Sequence, residues 1–281
     1  MRKFLFALAA TIIAAAALPE DIAAQVQITT KKVKISDFTT KTTKVVLCGN
    51  DFLNTALSEE VSRRWIVSPF EFCTFEEYEK IKEDDKYYFL IPQTNKLRKE
   101  TEPGITVLSL VKGGKPDDAI EIVSAPICSS KDSDGREIIY VSGVLNIIQN
   151  FAADAMVSDK VNLSGLSGYA KGTGKAKGKT IVISDADLTE SAVSAKSRYS
   201  KAIKFLPEDE ADRIFEEETA NTIVGYVVAP AEPQKGSACY LYLISADTHE
   251  LYLFVRYKLS AGGETGFRPV DLKRIAGHHN N

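Results

Sequence analysis

The sequence predicts an α/β protein built from two similar domains, and three observations lead to this fold class. β-branched and aromatic runs alternate with helical patterns, an order typical of crossover connections and of sheets with parallel strands. The same order of five elements occurs twice, over residues 44–92 and 180–230. The copies start 136 residues apart, at Val45 and Ile181, and end 138 residues apart, at Pro92 and Pro230. We interpret the pattern as an internal duplication with a two-residue insertion.

The N-terminus has the pattern of a secretory signal peptide over residues 1–25. Two basic residues precede an apolar run at residues 4–18, and small residues follow near Ala24. This run of 15 residues is shorter than the ~20 residues that a helix needs to span a bilayer. We therefore expect a cleaved signal peptide and a periplasmic or secreted mature chain that has no membrane span.

Composition places the chain among ordinary globular proteins. Of its 281 residues, 44% are hydrophobic and 26% are charged, and the formal net charge is −3. This balance argues against nucleic acid as a partner, because such binding relies on clustered Lys and Arg. The length suits a first domain at residues 26–157 and a second at 180–281. Between them, residues 158–179 are rich in Gly, Ser and Lys and predict a linker or long exposed loop.

Each domain is predicted as β-α-β-α-β-β-β-α. In the first, residues 25–43 suggest a loose arm and an edge strand with Val26/Ile28 and Val33/Ile35 on one face. Asn50 or Asp51 can cap a helix over residues 50–65. Thr74 and Glu77 form a capping box for the next helix. Strands at 87–92, 106–111 and 120–125 follow, and then a helix at 138–156.

In the second domain, a strand at 181–183 precedes a helix over 187–200, with Asp187 as its cap and Glu190 closing a capping box. An acidic helix follows Pro207, and a strand ends at Pro230. A hairpin then spans residues 239–257, and a short helix at 268–276 ends the domain.

The helix at 138–156 carries apolar residues at steps of three and four, which predicts that it packs on a sheet or on another helix. Duplicated domains often pair equivalent surfaces, as the subunits of a homodimer do. We therefore expect this helix to contribute to a contact between the two domains.

Four cysteines, Cys48, Cys73, Cys128 and Cys239, permit up to two disulfides in an oxidising compartment. Cys48 and Cys73 close two predicted neighbouring strands, so a bridge between them is one possibility. The alternative is that the cysteines are small buried hydrophobic residues. Sequence does not fix the connectivity.

Several segments that look like catalytic or ligand motifs lack a feature that their chemistry requires. Gly178-Lys179-Thr180 lacks the upstream Gly of a phosphate-binding loop and precedes a strand where that loop needs a helix. Asp185, Asp187 and Glu190 are too few oxygen ligands for a calcium loop. Ser109 and Lys112 lie three apart in a predicted strand, so their side chains face opposite sides.

Histidine is scarce, and the motifs define no catalytic, cofactor-binding or metal-binding residue. A Ser-His-Asp or Cys-His site would have to use His249, beside a hairpin turn, without a supporting motif. His278 and His279 lie in the C-terminal tail. We expect no resident metal or other cofactor.

Aromatic residues alternate along the second hairpin, at Tyr240, Tyr242, Tyr252, Phe254 and Tyr257. If these rings were exposed and coplanar, they would bind sugar or protein. Tyrosine in strands more often reflects β-propensity and packing, and packing is the interpretation that we favour.

The hairpin LYLISADTHELYLFVRY resembles the strand, D-x-x-T-G-E, strand hairpin of periplasmic α/β domains such as the N-terminal domain of the Tol translocation protein TolB. Domains of the curli secretion lipoprotein are similar. His249 stands where that motif has Gly, and the first domain's turn lacks the motif. The resemblance implies an envelope module that works through protein contacts and has no catalytic centre.

The sequence therefore predicts a non-enzymatic exported envelope protein, an interaction or assembly module whose partner is another envelope protein. One alternative is an exported hydrolase whose site converges only in three dimensions. A pocket holding a carboxylate pair or an oriented His would favour that reading. A carbohydrate-binding module is the other alternative. The oligomeric state is left open by the sequence.

Overall fold

In the computed structural model, described here for residues 35–115, 120–133, 135–260 and 263–277, the chain forms two five-stranded mixed sheets with helices packed against them. This confirms the predicted α/β class. The predicted signal peptide, residues 1–25, lies outside the described residues, as do Val26, Ile28 and Val33 of the predicted edge strand. Of that segment, Ile35 is buried and precedes a short 3-10 turn at Phe38–Thr40.

The first unit follows the predicted element order. Its elements are β1 (Thr42–Leu47), α1 (Asp51–Arg64), β2 (Phe70–Thr74), α2 (Phe75–Ile81), β3 (Tyr87–Asn95), β4 (Ile105–Lys112), β5 (Ile120–Ser129) and α3 (Glu137–Val157). The strand order is β2-β1-β3-β4-β5. β1 is parallel to both of its neighbours, whereas β3, β4 and β5 form an antiparallel meander.

Residues 158–179, predicted as a linker or long loop, contain two short helices, α4 (Asp159–Asn162) and α5 (Gly165–Tyr169). The end of the segment is held against β10, because Lys171 N and Gly172 N donate to the carbonyl oxygens of Leu251 and Tyr252. The Gly- and Ser-rich composition therefore accompanies a segment that packs against the second unit.

The second unit has the same order of elements. They are β6 (Thr180–Ser184), α6 (Glu190–Ala195), β7 (Lys204–Leu206), α7 (Glu208–Glu216), β8 (Thr222–Val228), β9 (Ala238–Ser245), β10 (Leu251–Lys258) and α8 (Pro269–Gly277). The sheet order β7-β6-β8-β9-β10 reproduces the first sheet strand for strand. The two sheets are therefore topologically equivalent, as the repeated sequence pattern predicts.

Local signals predicted most helix starts. The Asn50 side chain accepts a hydrogen bond from Leu53 N at the start of α1, and Thr74 and Glu77 form the predicted capping box of α2. The predicted cap of α6 is wrong. Thr189 caps that helix, while Asp187 lies buried in a 3-10 turn after β6. Asp187 does not cap α6, because its carboxylate pairs with an arginine that is distant in the sequence.

That arginine is Arg136, which precedes α3 and joins the two units. Its guanidinium binds Asp187 (Nη1–Oδ1 2.9 Å) and Asp212 of α7 (Nη2–Oδ1 2.8 Å, Nε–Oδ2 2.9 Å). Tyr140 Oη donates to the same Asp212 carboxylate at 2.8 Å. All four side chains are buried. One cation thus holds two carboxylates of the other unit at the interface.

Helix α3 lies between the units, which confirms the predicted contact. It is buried on most of its circumference, and Tyr140 stacks on Tyr226 of β8 with ring centroids 4.0 Å apart. The rings of Tyr140 and Phe215 are also in contact, at 4.5 Å. Among the described residues, α3 alone is long and apolar enough to cross a membrane, but 67% of its apolar window is buried within the fold. It is a core helix.

The hydrophobic core runs without interruption from one unit into the other. Residues of β8 and β9, such as Val224 and Ile244, belong to the same buried cluster as Val144 of α3 and Leu57 of α1. Two smaller clusters lie on the outer faces of the sheets.

The Cys48–Cys73 bridge, which was one possibility from the sequence, is not formed. Register places Cys73 beside Val46 on neighbouring parallel strands, and Cys48 follows the end of β1. Cys73, Cys128 and Cys239 are buried, and Cys48 is half-buried. The alternative interpretation, that the cysteines act as small apolar residues, agrees with this burial.

Candidate functional site

One cavity in the described structure opens beside the turn between β9 and β10. Its volume is about 570 Å³, within the range usual for ligand pockets. One wall is α3, a second is formed by α4 and α5, and the turn itself forms the third. We call it the His249 pocket; it is lined by Ile147, Asn150, Ala153, Asp154, Lys160, Val161, Ser164, Gly168, Tyr169, Lys171, His249, Glu250 and Leu251.

His249 occupies an unusual backbone position. Its φ is 53°, in the left-handed region that favours glycine. The turn is closed by two hydrogen bonds, from His249 N to Ser245 O (2.9 Å) and from Ser245 N to Glu250 O (3.0 Å). Although it lies in a turn, His249 is only 2% exposed. Its ring stacks on Phe215 of α7 at 5.3 Å.

A chain of hydrogen bonds orients the imidazole and fixes its tautomer. Ile66 N donates to Gln149 Oε1, and Gln149 Nε2 donates to Arg64 O, so backbone groups determine how the Gln149 amide is turned. Gln149 Nε2 also donates to Asn146 Oδ1. Asn146 Nδ2 therefore faces His249 Nδ1, at 2.6 Å, and donates to it. Because Nδ1 accepts, the proton of the neutral ring lies on Nε2.

His249 Nε2 is buried and has no hydrogen-bond partner within the described part of the chain. Burial lowers the pKa of His249 to about 4, and the nearby Arg64 guanidinium contributes in the same direction. The ring is therefore neutral near pH 7. It presents one unused N–H donor, and such a buried unpaired group is rare in native structures.

The lining of the pocket carries charged side chains of both signs. Lys171 pairs with Glu250, and Tyr169 Oη donates to Asp154 Oδ2 at 2.9 Å. Burial raises the pKa of Tyr169, so its phenol stays protonated. Lys160 is exposed at the rim and forms no ion pair with the described residues. A carboxylate or carbonyl oxygen of a ligand is the chemistry that this arrangement accepts.

The pocket does not assemble an activated nucleophile from its described residues. The Ser164 hydroxyl donates to Val161 O at 2.7 Å. His249 Nε2 already carries a proton, so it is not positioned to accept one from a hydroxyl or a water. The geometry instead suits donation of a hydrogen bond from His249 Nε2–H to a bound group.

Sequence reasoning found only part of this site. His249 was the only non-tail histidine available for a catalytic role, but no motif supported it. Asn146 and Gln149 were missed, although polar residues inside an apolar helix were a usable signal. The aromatic residues of the second hairpin are packed as predicted: Tyr240, Tyr242 and Tyr252 are buried. Among the described residues, no group of three or more His, Cys, Asp or Glu side chains is placed so that it could hold a metal ion.

Comparisons with protein-family models, with curated proteins and with solved structures found no match to the chain. The function of the His249 pocket must therefore be inferred from its own chemistry.

Proposed function

We propose that the protein is a non-enzymatic exported envelope protein that binds an acidic segment of another envelope protein at the His249 pocket. The observation that carries the proposal is the unpaired Nε2–H of His249, held in a pocket that a chain segment fits. A partner carboxylate or carbonyl would satisfy this donor, whose desolvation otherwise costs about 1–3 kcal/mol.

Exposed apolar residues beside the pocket support a protein partner. Val157, at the end of α3, is 86% exposed, and Leu163, after α4, is 60% exposed. They flank the lining residues Lys160 and Val161 in the chain. Apolar surface next to a polar cleft is typical of protein-interaction sites.

Charge supports an acidic partner. Residues 158–179 carry five lysines and one acidic residue, Asp159. These lysines would attract an acidic segment from a distance, and the attraction would weaken with salt. The proposal that the protein is exported depends on the predicted signal peptide. The proposal that it acts in the cell envelope depends on the resemblance of the second hairpin to that of periplasmic α/β domains.

The hydrolase alternative has one observation in its favour, an oriented histidine in a pocket. The hydrogen bond from Asn146 argues against it, because it leaves the proton on the nitrogen that a general base would use. Turnover of a simple ester that disappears in His249→Gln would establish the alternative and exclude the binding function.

The test is site-specific photocrosslinking in cells that express the full chain. A photoreactive residue at position 160 should give a discrete adduct with a partner protein, identified by mass spectrometry. The same residue at Lys201, which is exposed but does not line the pocket, is the control. The purified partner should then bind with an affinity that falls as salt rises.

Three variants tie the adduct to the pocket. Ala153→Phe fills the cavity from the α3 wall, and His249→Leu removes the donor while His249→Gln retains one. The adduct should be lost in the first two and kept in the third. An adduct that survives Ala153→Phe, or that forms equally from position 201, would contradict the proposal.

A further inference from the structure

A second cavity, of about 410 Å³, lies at the carboxyl edge of the first sheet. It opens beyond the ends of β1 and β3, where the connections leave in opposite directions. From β1 the chain passes through α1 to β2 on one side, whereas β3 continues by a hairpin to β4 on the other. Open α/β sheets bind ligands at such switch points. We call this cavity the Gln93 pocket, after a residue that lines it.

Gln93 is buried without a partner for its amide nitrogen. The side chain is 9% exposed, and Nε2 has no acceptor within the described ranges. Leaving a buried donor unpaired costs on the order of 1–3 kcal/mol. A ligand oxygen in the pocket would remove this cost.

The corresponding edge of the second sheet is already filled. There, Asp187 follows β6, and the guanidinium of Arg136 binds between it and Asp212. In the first unit, the loop after β1 runs through Gly49 and Asn50 into α1, and the space beyond it is open. Equivalent topology thus gives one occupied crevice and one empty crevice.

The charges around the Gln93 pocket disfavour an anion. The N-terminus of α1 lies at the pocket and carries a positive partial charge, but Asp51 in its first turn offsets it. Asp132 lines the rim and adds a negative charge. Among the described lining residues, Lys and Arg are absent. A phosphate or a free carboxylate would meet repulsion without a compensating cation.

The remaining groups suit a neutral ligand rich in hydroxyls. Thr94 and Thr106 are opposite each other on β3 and β4, and both line the pocket. Together with Gln93 and Asp132 they offer donors and acceptors. Phe75, half-buried, gives an apolar wall.

We propose that the Gln93 pocket binds a neutral saccharide of one or two rings, with the unpaired Gln93 Nε2–H donating to a ligand oxygen. This site is separate from the His249 pocket and does not depend on the function proposed there.

The experiment is a titration of the full mature chain followed by ¹H–¹⁵N NMR. The probes are glucose, N-acetylglucosamine, its β-1,4-linked disaccharide, sodium phosphate and sodium acetate. At least one sugar should shift the Gln93 side-chain amide and the backbone amides of Cys48 and Gly49. Phosphate and acetate should leave them unchanged.

Gln93→Leu should weaken sugar binding at least tenfold. Its thermal midpoint should equal or exceed that of the unchanged protein, because an unpaired buried amide is removed. Gln234→Leu is the matched control, since Gln234 accepts hydrogen bonds from Thr101 and does not line the pocket. It should bind sugar normally.

Three results would overturn the proposal. They are the absence of shifts with every sugar, shifts with phosphate or acetate alone, and unchanged sugar binding in Gln93→Leu. A large fall in the thermal midpoint of Gln93→Leu would also count against it, because it would show that the amide already has a structural role.

Discussion

His249 shows how a single residue can carry two unfavourable features at once. Its backbone lies in the left-handed region, and its buried Nε2 has no partner among the described residues. Each feature costs about 1–3 kcal/mol in a typical protein. Costs of this kind concentrate at functional sites, where bound groups recover part of the loss. The imidazole is held ready because Asn146 and Gln149 orient it before any ligand arrives.

The buried His249 predicts a pH dependence of stability. Its pKa in the folded state is about 4, whereas an unfolded histidine has a pKa of about 6.5. Between pH 6.5 and 4, His249 is protonated in the unfolded chain but stays neutral in the folded chain. The free energy of unfolding therefore falls as the pH falls toward 4. Between pH 7 and 4.5 this amounts to about 2 kcal/mol.

His249→Gln should remove that part of the pH dependence. The free energy of unfolding in urea, followed by fluorescence of Trp65, the one tryptophan, measures it at both pH values. Carboxylates whose lowered pKa does not depend on His249, such as Asp37, act equally in both proteins and cancel in the comparison. Equal pH dependence in the two proteins would show that His249 is not buried in its neutral form.

We expect a large loss of stability when the buried positive charge of Arg136 is removed. Arg136→Met leaves Asp187 and Asp212 buried without a cation, and stability should fall by about 3–5 kcal/mol. Lys82→Met is the control. It breaks the exposed ion pair with Glu79 and should cost no more than about 1 kcal/mol. Urea unfolding at pH 7 compares the three proteins.

The cost of Arg136→Met should shrink as the pH falls. Burial raises the pKa of Asp187 to about 6 in the intact protein, above the ~3.9 of an unfolded aspartate. The folded state therefore gains stability from this group as pH falls through 6. A protonated Asp187 no longer presents an unpaired charge, so a cost that stays constant from pH 7 to 5 would contradict this account.

At the scale of elements, α3 is the helix on which both sheets depend. It contacts α1 and β5 of its own unit and α7 of the other. A helix in this position must be apolar on nearly all sides, which explains why its composition also suits a membrane span. Two of its polar residues, Asn146 and Gln149, form the hydrogen-bond network that orients His249.

Gly143 allows α3 to approach α7 closely. A Cβ at this position would lie 2.7 Å from Phe215 Cζ, closer than van der Waals contact permits. Alanine normally stabilises a helix by about 1 kcal/mol relative to glycine. In Gly143→Ala we expect overpacking to outweigh that gain, with a net loss of about 1–2 kcal/mol.

Gly277→Ala serves as the comparison for Gly143→Ala. Gly277 ends α8, and an added Cβ meets nothing within 4 Å, so stability should change little. Thermal unfolding of both variants measures the difference. A more stable Gly143→Ala would show that Phe215 moves aside without cost.

The whole molecule should unfold as one cooperative body, because the buried cluster around α3 includes residues from both sheets. Calorimetry should give a single transition whose calorimetric and van't Hoff enthalpies agree. Expressed separately, residues 26–157 and 180–281 should each melt below the intact chain, since Tyr226 and Tyr242 would lose their cover. Two halves that melt as they do when joined would show that the interface contributes nothing.

The two sheets share one topology but differ at the edges where function is expected. The carboxyl edge of the second sheet is filled by Arg136, while that of the first is open. The β9–β10 turn of the second unit forms the His249 pocket. A repeated scaffold with unequal edges is consistent with a duplication after which the copies diverged in their loops.

Most of the fold could be predicted from sequence because its signals are local. The Asn50 cap and the Thr74–Glu77 capping box each join residues three apart, and strand and helix periods are visible within short windows. The repeated order of elements then gave the shared sheet topology. Where a local signal competed with a distant partner, it failed, as at Asp187.

The α/β class, the two similar units, the helix starts at Asn50 and Thr74 and the position of α3 at the interface could all be predicted from local sequence patterns. Which side chains meet could not be predicted in this way. Asn146 and His249 are 103 residues apart in the chain, and Arg136 and Asp212 are 76 apart. Burial and hydrogen-bond partners over such separations depend on how the sheets pack around α3. No local pattern encodes that packing, so both pockets became visible only in the folded chain.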